Sequence, residues 1–119
     1  MGRDLDIPVL SSWQDDCHWP ADAASALSLA DFRQIRALIP ENVLLLASPV
    51  RNWLAEIDPV EQDFVKASVP QRQAEFATGR MLAALALGRF GRRIQPIGQG
   101  AVKEPVWPEG ISGSITHTR

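Results

Sequence analysis

Two arginines with a spacing suited to a phosphate ligand, Arg72 and Arg80, lie eight residues apart in a stretch predicted to be helical. In an α-helix this spacing separates them by about 12 Å along the axis and by roughly 80° around it. Guanidinium groups bind phosphate through charge-assisted hydrogen bonds. A long ligand carrying two phosphates and lying across the helix would suit both arginines. Two arginines that extend from the core edge to water are the alternative, and geometry leaves both interpretations open.

The second stretch that could do chemistry is the alternating segment 114–118. Its pattern predicts a short strand, with the hydroxyls of Ser114, Thr116 and Thr118 on one face and His117 on the other. Such a strand would deliver a histidine and several hydroxyls at its end. No Ser-His-Asp order and no Gly-rich phosphate loop accompany it in the sequence.

Two helices are predicted to position the arginines. Asp58 is a capping residue followed by proline, which predicts a short helix over about 59–67. A second helix is predicted from 70 to about 90, rich in Ala, Leu, Met and Arg. Gly79 lies in the middle of its apolar arc, where glycine costs about 1 kcal/mol relative to alanine. We therefore expect another backbone or a ligand to approach this glycine closely.

The remaining periodicity predicts an α/β (α+β) fold, a small sheet packed with helices in a single domain over residues 1–119. A helix capped by Ser28 should end before Pro40, and its apolar stripe includes Phe32, Ile35 and Leu38. Strands are predicted at 6–10, at 43–47, where the apolar run indicates burial, and at 94–97, with 98–100 as a loop.

Length and composition limit the class of protein. A chain of 119 residues with 45% apolar residues suits one soluble globular domain. Its single cysteine, Cys17, excludes an internal disulfide, and no secretory signal or membrane-length apolar run is present, so we expect a cytoplasmic protein without a membrane partner. Cys17 and His18 are adjacent, but no further Cys or His nearby completes a metal site.

Charge is distributed unevenly along the chain. Residues 1–65 hold four arginines and eleven acids, whereas residues 66–103 hold seven Lys or Arg and one acid, Glu75. Such a basic stretch suits an anionic partner, although a solvated helix face is the simpler interpretation. A nucleic-acid binder using the arginines at 89, 92 and 93 is disfavoured by the acidic first half and the lack of interleaved aromatics, so no nucleic-acid partner is expected.

Two blocks carry a resemblance to a known family. Residues 103–110 read Lys-Glu-Pro-Val-Trp-Pro-Glu-Gly and residues 113–118 read Gly-Ser-Ile-Thr-His-Thr, while the upstream block 69–80 contains Arg, Glu-Phe and Gly-Arg at fixed spacing. Together they resemble the 4'-phosphopantetheinyl transferases, in particular the type that includes enterobactin synthase component D. The resemblance covers about residues 43–119, and 1–42 is expected to be a variable N-terminal segment.

The resemblance implies one half of a pseudo-two-fold fold. It also implies an enzyme that moves phosphopantetheine from coenzyme A to a serine of an apo acyl, aryl or peptidyl carrier protein, with Mg²⁺, in siderophore, polyketide or non-ribosomal peptide synthesis. No catalytic residue or metal ligand is assigned to this chain. The residues that the resemblance implies as coenzyme A contacts are Arg72, Arg80, Lys103, Thr116, His117 and Thr118.

Two departures from the family pattern shape the expectation. Ala83 and Ala84 stand where the family commonly has Ala-Arg, which removes a cation. The metal-binding Asp-x-Glu and the Trp-x-x-Lys-Glu segment of the family's second half are absent from the sequence. We therefore expect an N-terminal half that is inactive alone, self-associates or needs a second half in trans. The alternative is a non-catalytic module that binds coenzyme A or a carrier protein together with a separate second half.

Overall fold

A computed structural model describes residues 10–12, 29–93 and 95–116 of the chain. They divide into two compact units, one with the described residues up to Pro49 and one that begins at Val50. The mixture of helices and small antiparallel sheets confirms the predicted α/β class. None of the helices in these ranges is long and apolar enough to cross a membrane. The single domain over residues 1–119 stays a prediction.

The first unit contains helix α1, Leu29–Ala37, and a two-stranded antiparallel sheet. Strand β1, Leu10–Ser11, pairs with β2, Leu46–Ala47, in the register Leu10↔Ala47 and Ser11↔Leu46. The predicted helix before Pro40 is confirmed, although its capping residue Ser28 lies outside the described residues. Of the strand predicted at 6–10, only the last residue is described.

The predicted buried strand at 43–47 is wrong in length and in burial. Only Leu46 and Ala47 form a strand, and they are half-buried. Next to them the Leu45 N–H donates to the Ser12 hydroxyl at 2.8 Å, so a side chain takes the place of a ladder carbonyl. The α1 stripe is also narrower than predicted: Phe32 is fully buried, but Leu38 lies beyond the helix end and is 85% exposed.

The second unit is built around helix α3, Pro70–Arg89, with the shorter α2, Pro59–Asp63, before it. Asp58 caps α2 as predicted, its Oδ1 accepting the Val60 N–H at 2.9 Å. The helix ends at Asp63 rather than near residue 67, and a turn connects it to α3. A 3-10 helix, Leu54–Glu56, precedes α2 and packs on α3.

The end of α3 agrees with the prediction because a glycine cap terminates it. Gly91 adopts a left-handed conformation with φ +71°, and its N–H donates to the Gly88 carbonyl at 3.0 Å. The Arg92 N–H donates to the Leu87 carbonyl at 2.9 Å. These two bonds form a Schellman motif, which satisfies the last carbonyls of the helix.

The second sheet is a hairpin placed differently from the prediction. Strand β3, Gly98–Gln99, pairs with β4, Pro105–Val106, in the register Gly98↔Val106, so the predicted loop at 98–100 contains the strand. In the predicted strand 94–97, residue 94 lies outside the described residues and Ile97 uses its side chain to fill the core. The Gly100 N–H donates to the Glu104 carbonyl at 2.8 Å and closes a three-residue loop over 101–103.

The strand predicted at 114–118 is also corrected. Residues 111–116 form no strand, because no neighbouring backbone pairs with them within the described part of the chain. Residues 117 and 118 lie outside the described residues. The segment is instead attached by packing of Ile115 on Gly79 and of Gly113 on Trp107.

Two apolar clusters pack on α3, one toward each end. Phe90, the residue after the end of α3, belongs to neither cluster and is 41% exposed. From Glu75 to Met81 every α3 residue is buried, so this part of the helix is the centre of the unit. The first cluster consists of Ile57, Val65, Phe76 and Ala77, flanked by Trp53, Leu54 and Phe64, and the second of Ala83, Leu87 and Ile97, flanked by Trp107 and Ile111.

Thr78 attaches the start of the second unit to α3. Its hydroxyl donates to the Arg51 carbonyl at 2.9 Å and accepts the Arg51 N–H at 3.0 Å. The Arg51 carbonyl also accepts the Trp53 N–H at 2.9 Å, so the buried Thr78 hydroxyl is one of its two donors.

We expect Thr78→Val to lower the free energy of unfolding by about 1–3 kcal/mol, because it removes the acceptor of the Arg51 N–H and one of the two donors to the Arg51 carbonyl while keeping the side-chain shape. Thr78→Ser keeps the hydroxyl and is the matched control. Urea unfolding of both variants measures the difference. A Thr78→Val variant as stable as Thr78→Ser would show that these hydrogen bonds do not hold the segment.

Candidate phosphate-binding site

Arg80, the second arginine of the predicted pair, lies inside the unit with only 3% of its side chain exposed. Its Nη1 is 3.4 Å from Glu61 Oε2, and the Glu61 side chain is 8% exposed. The same nitrogen donates to the Ile97 carbonyl and, at 3.3 Å, to the Gly98 carbonyl. One guanidinium therefore connects α2, α3 and β3.

Two aromatic rings complete the surroundings of Arg80. Its Cζ is 4.7 Å from the centroid of the Phe76 ring and 5.8 Å from that of Phe64. The two rings meet edge to face, with centroids 6.3 Å apart. Cation–π attraction is stronger where water is excluded, so the rings help to offset the loss of hydration of the guanidinium.

Burial dominates the protonation equilibrium of the pair. Burial raises the pKa of the Glu61 carboxyl above its usual 4.5, and the Arg80 charge and then a hydrogen bond with the Ile97 backbone oppose the rise. Burial lowers the pKa of the Arg80 guanidinium, and Glu61 opposes that shift. Arginine nevertheless stays protonated in proteins, so Arg80 remains a cation throughout.

Glu61 is the residue of this site that the sequence reasoning missed. At the third position of α2 it has the place of a capping-box glutamate, but its carboxylate is directed to Arg80 instead. A signal was present, because Glu61 is an acid in a helix with a buried face and Arg80 follows on the next long helix. For Arg80 the structure departs from the surface position that phosphate binding requires, and contact with a ligand stays a prediction.

Arg72 occupies the position that suits a ligand. It lies in the first turn of α3, is half-buried, and places its Cζ 5.9 Å from the Phe76 ring centroid. The guanidinium therefore lies over the aromatic ring, and the half-buried side chain keeps part of its surface in contact with water. The predicted pair of arginines thus divides: Arg72 lies at the surface and Arg80 in the interior, although both contact the same ring.

Lys103 lies in the loop of the β3–β4 hairpin in an unusual backbone conformation. Its φ is +69°, the left-handed region that this loop type normally fills with glycine. The Lys103 N–H donates to the Gly100 carbonyl at 3.0 Å, which holds the turn. The side chain is exposed, so its ammonium is accessible to an anion.

Two glycines hold residues 111–116 in place, Gly113 against Trp107 and Gly79 of α3 against Ile115. The Trp107 Nε1 donates to the Gly113 carbonyl at 3.0 Å, and a Cβ on Gly113 would lie 3.0 Å from the indole ring. A Cβ on Gly79 would lie 2.6 Å from Ile115 Cγ2. The close approach expected at this helical glycine is therefore confirmed, and the neighbour is a side chain.

The predicted contact residues are only partly brought together. Gly79 and Arg72 are seven residues apart, which places them within about 20° on the same face of α3 and about 10 Å apart along its axis. Ile115 contacts that face at Gly79, so Thr116, which is exposed, follows directly beside it. His117 and Thr118 lie outside the described residues.

The described elements define a small α+β module whose helix α3 carries Arg72 near the surface and Arg80 in the interior. The family model of the 4'-phosphopantetheinyl transferase N-terminal domain matches residues 60–119. The chain therefore belongs to the 4'-phosphopantetheinyl transferase family, through the N-terminal domain of that family. No solved structure matches the chain at a significant level.

Curated relatives match about half of the chain. The chain is 46% identical over 59 residues to 4'-phosphopantetheinyl transferase Svp of Streptomyces mobaraensis, an alignment that covers 50% of this chain and 24% of that protein. It is 42% identical over 59 residues to PptT of Mycobacterium tuberculosis, covering 50% and 26%. Enterobactin synthase component D of Salmonella typhimurium is 40% identical over 55 residues, covering 46% and 23%. The matched segment thus spans about a quarter of these relatives.

We expect Arg80→Met to lower the free energy of unfolding by about 3–5 kcal/mol at pH 8, because the buried Glu61 carboxylate loses its counter-ion. Without Arg80 the pKa of Glu61 rises further. Because the pKa of Glu61 is higher in the folded state, its protonation stabilises the fold fully below the usual carboxyl pKa of 4.5. This stabilisation is lost as the pH rises through the folded-state pKa of Glu61. The deficit of Arg80→Met relative to wild type should therefore shrink between pH 8 and pH 5.

Urea unfolding at both pH values measures this deficit. The exposed pair Lys66–Asp63, with Nζ and Oδ1 3.9 Å apart, provides the control. Asp63→Asn should change stability by less than about 1 kcal/mol at either pH. An Arg80→Met deficit that is equally small, or independent of pH, would contradict the structural role of the buried pair.

Lys103→Gly should separate stability from binding. Glycine adopts the positive φ without a Cβ penalty, so the unfolding free energy should be unchanged or higher by about 1 kcal/mol. If Lys103 meets a phosphate of coenzyme A, as the family resemblance implies, the affinity should fall. Lys103→Arg keeps the charge and should bind like wild type. Unchanged affinity in Lys103→Gly would exclude a phosphate contact here.

Proposed function

We propose that this chain provides the N-terminal half of a 4'-phosphopantetheinyl transferase and binds the phosphates of coenzyme A along the Arg72 face of α3. The observation that carries the proposal is the family match over residues 60–119, which contains both Arg72 and Thr116. Both residues have exposed surface, and Thr116 follows the residue that packs on this helix face.

In the proposed reaction the hydroxyl oxygen of a carrier-protein serine attacks the β-phosphorus of coenzyme A. A serine–phosphorus ester bond forms, the bond between the β-phosphorus and the bridging oxygen breaks, adenosine 3',5'-bisphosphate leaves with that oxygen, and the serine proton passes to a base or to solvent. The part of this chain is to hold and orient the anionic ligand. Arg72 offers paired guanidinium donors, Lys103 an ammonium and Thr116 a hydroxyl, and each charge-assisted contact contributes roughly 1.5–3 kcal/mol.

The described residues do not fit a Mg²⁺ site. Mg²⁺ prefers carboxylate oxygens and water in an octahedral arrangement. The Glu61 carboxylate is directed to Arg80, and Glu75 Oε2 accepts from Gln71 Nε2 at 3.1 Å. Within residues 10–12, 29–93 and 95–116 no group of three or more His, Cys, Asp or Glu could hold a metal ion. None of the described residues is therefore assigned to the ion.

The proposed partner is an apo carrier protein of siderophore, polyketide or non-ribosomal peptide synthesis in the cytoplasm. Two similarities support it: relatives named as 4'-phosphopantetheinyl transferases and one named enterobactin synthase component D. We also propose that this half works with a second half. That second half is either another copy of the chain, reached by self-association, or a separate chain in trans.

A transfer assay tests the proposal. The purified chain is incubated with coenzyme A, Mg²⁺ and an apo carrier protein, with and without the C-terminal half of a relative, and the carrier is weighed by intact mass spectrometry. A gain of one phosphopantetheine in either arm supports the transferase. Coenzyme A binding without a mass gain in either arm favours the non-catalytic binding module. The absence of both coenzyme A binding and phosphopantetheine transfer would overturn the proposal.

Arg72→Ala should weaken coenzyme A binding by roughly one to two factors of ten, because it removes charge-assisted contacts to phosphate. Its stability should change little, since the side chain is only half-buried. Lys66→Ala removes one exposed cation elsewhere in the unit and is the control for net charge. Isothermal titration calorimetry measures the coenzyme A affinity of the wild type and of both variants. Equal losses in the two variants would mean that binding follows net charge and not this residue.

A further inference from the structure

Gly79 is buried in the interior of α3, where a glycine is costly, and its backbone conformation does not require glycine. No positive φ is found there, whereas Gly91 and Gly110 have one. What requires glycine is space, because a Cβ would lie 2.6 Å from Ile115 Cγ2. That methyl is attached directly to Cβ of a β-branched residue, so χ1 rotation offers little relief. An alanine at this position would have to displace the segment that carries Ile115.

The segment is held at a second point by Trp107. Its indole packs beside the buried cluster of Ala83, Leu87 and Ile97, and its Nε1 donates to the Gly113 carbonyl at 3.0 Å. Gly113 lies flat against the ring, since a Cβ there would be 3.0 Å from it. Two contacts, at Gly113 and at Ile115, therefore fix the backbone immediately before Thr116.

These contacts determine which face of α3 the segment reaches. Gly79 and Arg72 share one face of the helix, about 10 Å apart along the axis. Arg80, one residue further, is rotated by about 100° and points into the interior. Packing of Ile115 on Gly79 thus places the exposed residue Thr116, which follows Ile115, beside the helix face that carries Arg72.

We propose that Gly79 and Ile115 form a seat that positions the segment Ser114–Thr116 on the Arg72 face of α3, so that both elements reach one phosphate-bearing ligand. Gly79 and Ile115 are positioning residues, and neither touches the ligand. The inference rests on the proposed binding of coenzyme A for its functional consequence. The seat itself rests on geometry alone and is testable without a ligand.

The variants are chosen around a single methyl group. Gly79→Ala adds the Cβ that collides with Ile115 Cγ2. Ile115→Ala removes this methyl, so the double variant G79A/I115A should restore the seat. Ile115→Val retains it, so G79A/I115V should not. Gly88→Ala places the same substitution on the same helix where a Cβ meets nothing within 4 Å, and it is the matched control.

Two readouts separate positioning from stability and from the proposed function. The first is the Thr116 backbone amide resonance in the free ¹⁵N-labelled chain, at a temperature where every variant is fully folded. The chemical shift of this resonance should change in G79A and in G79A/I115V and should be unchanged in G88A. In G79A/I115A it should equal the shift measured in I115A. The second is coenzyme A affinity, which should fall roughly ten- to a hundredfold in G79A and G79A/I115V. In G79A/I115A it should match I115A.

Each outcome decides one question. If wild type does not bind coenzyme A, the proposed function fails, and the Thr116 resonance alone still decides whether the seat exists. If wild type binds and G79A moves the resonance without weakening affinity, the seat does not serve the ligand. If G79A leaves the Thr116 resonance unchanged, or if I115V rescues as well as I115A, the seat is refuted.

Discussion

A buried arginine is the constraint on which the second unit depends. Removing a guanidinium from water costs several kcal/mol unless its donors and charge are matched inside the protein. Arg80 meets this requirement with one carboxylate, two backbone carbonyls and two aromatic rings, drawn from α2, α3, β3 and the segments between them. Each of these elements must be in place for the charge to be tolerated, so the arginine selects one arrangement of them.

This constraint gives the two motif arginines different tasks. Phe76 lies between them, with Arg80 against its ring in the interior and Arg72 near the same ring at the surface. The interior arginine fixes the orientation of α3, and the orientation of α3 determines where Arg72 and Gly79 face. A buried residue can thereby set the geometry of the exposed face of α3, and the two motif arginines, which look equivalent in the sequence, differ in burial and in partners.

The helices were predictable because their signals are local. Asp58 with Pro59 marks the start of α2, Pro70 the start of α3, and Gly91 the end of α3. The strands were not, because pairing depends on a distant backbone. The alternation at 114–118 found no partner among the described residues, while Gly98–Gln99, without a strand pattern, paired with β4.

For the candidate site, the sequence indicated local features better than it indicated their three-dimensional surroundings. A glycine in the middle of α3 correctly predicted close approach, but not that Ile115 would be the neighbour. The local position of Glu61 suits a helix cap, and only the three-dimensional fold brings it to Arg80. The family was evident from the motifs, and the family match over residues 60–119 confirms it.

The measurement that tests the account most directly follows the two arginine side chains separately. Coenzyme A is titrated into the ¹⁵N-labelled chain while the Nε–H resonances of Arg72 and Arg80 are recorded. The account predicts that the Arg72 resonance shifts and saturates together with the Thr116 amide, and that the Arg80 resonance stays in place because its guanidinium remains with Glu61. A saturating shift of Arg80 with none at Arg72 would contradict the division of roles between the two arginines.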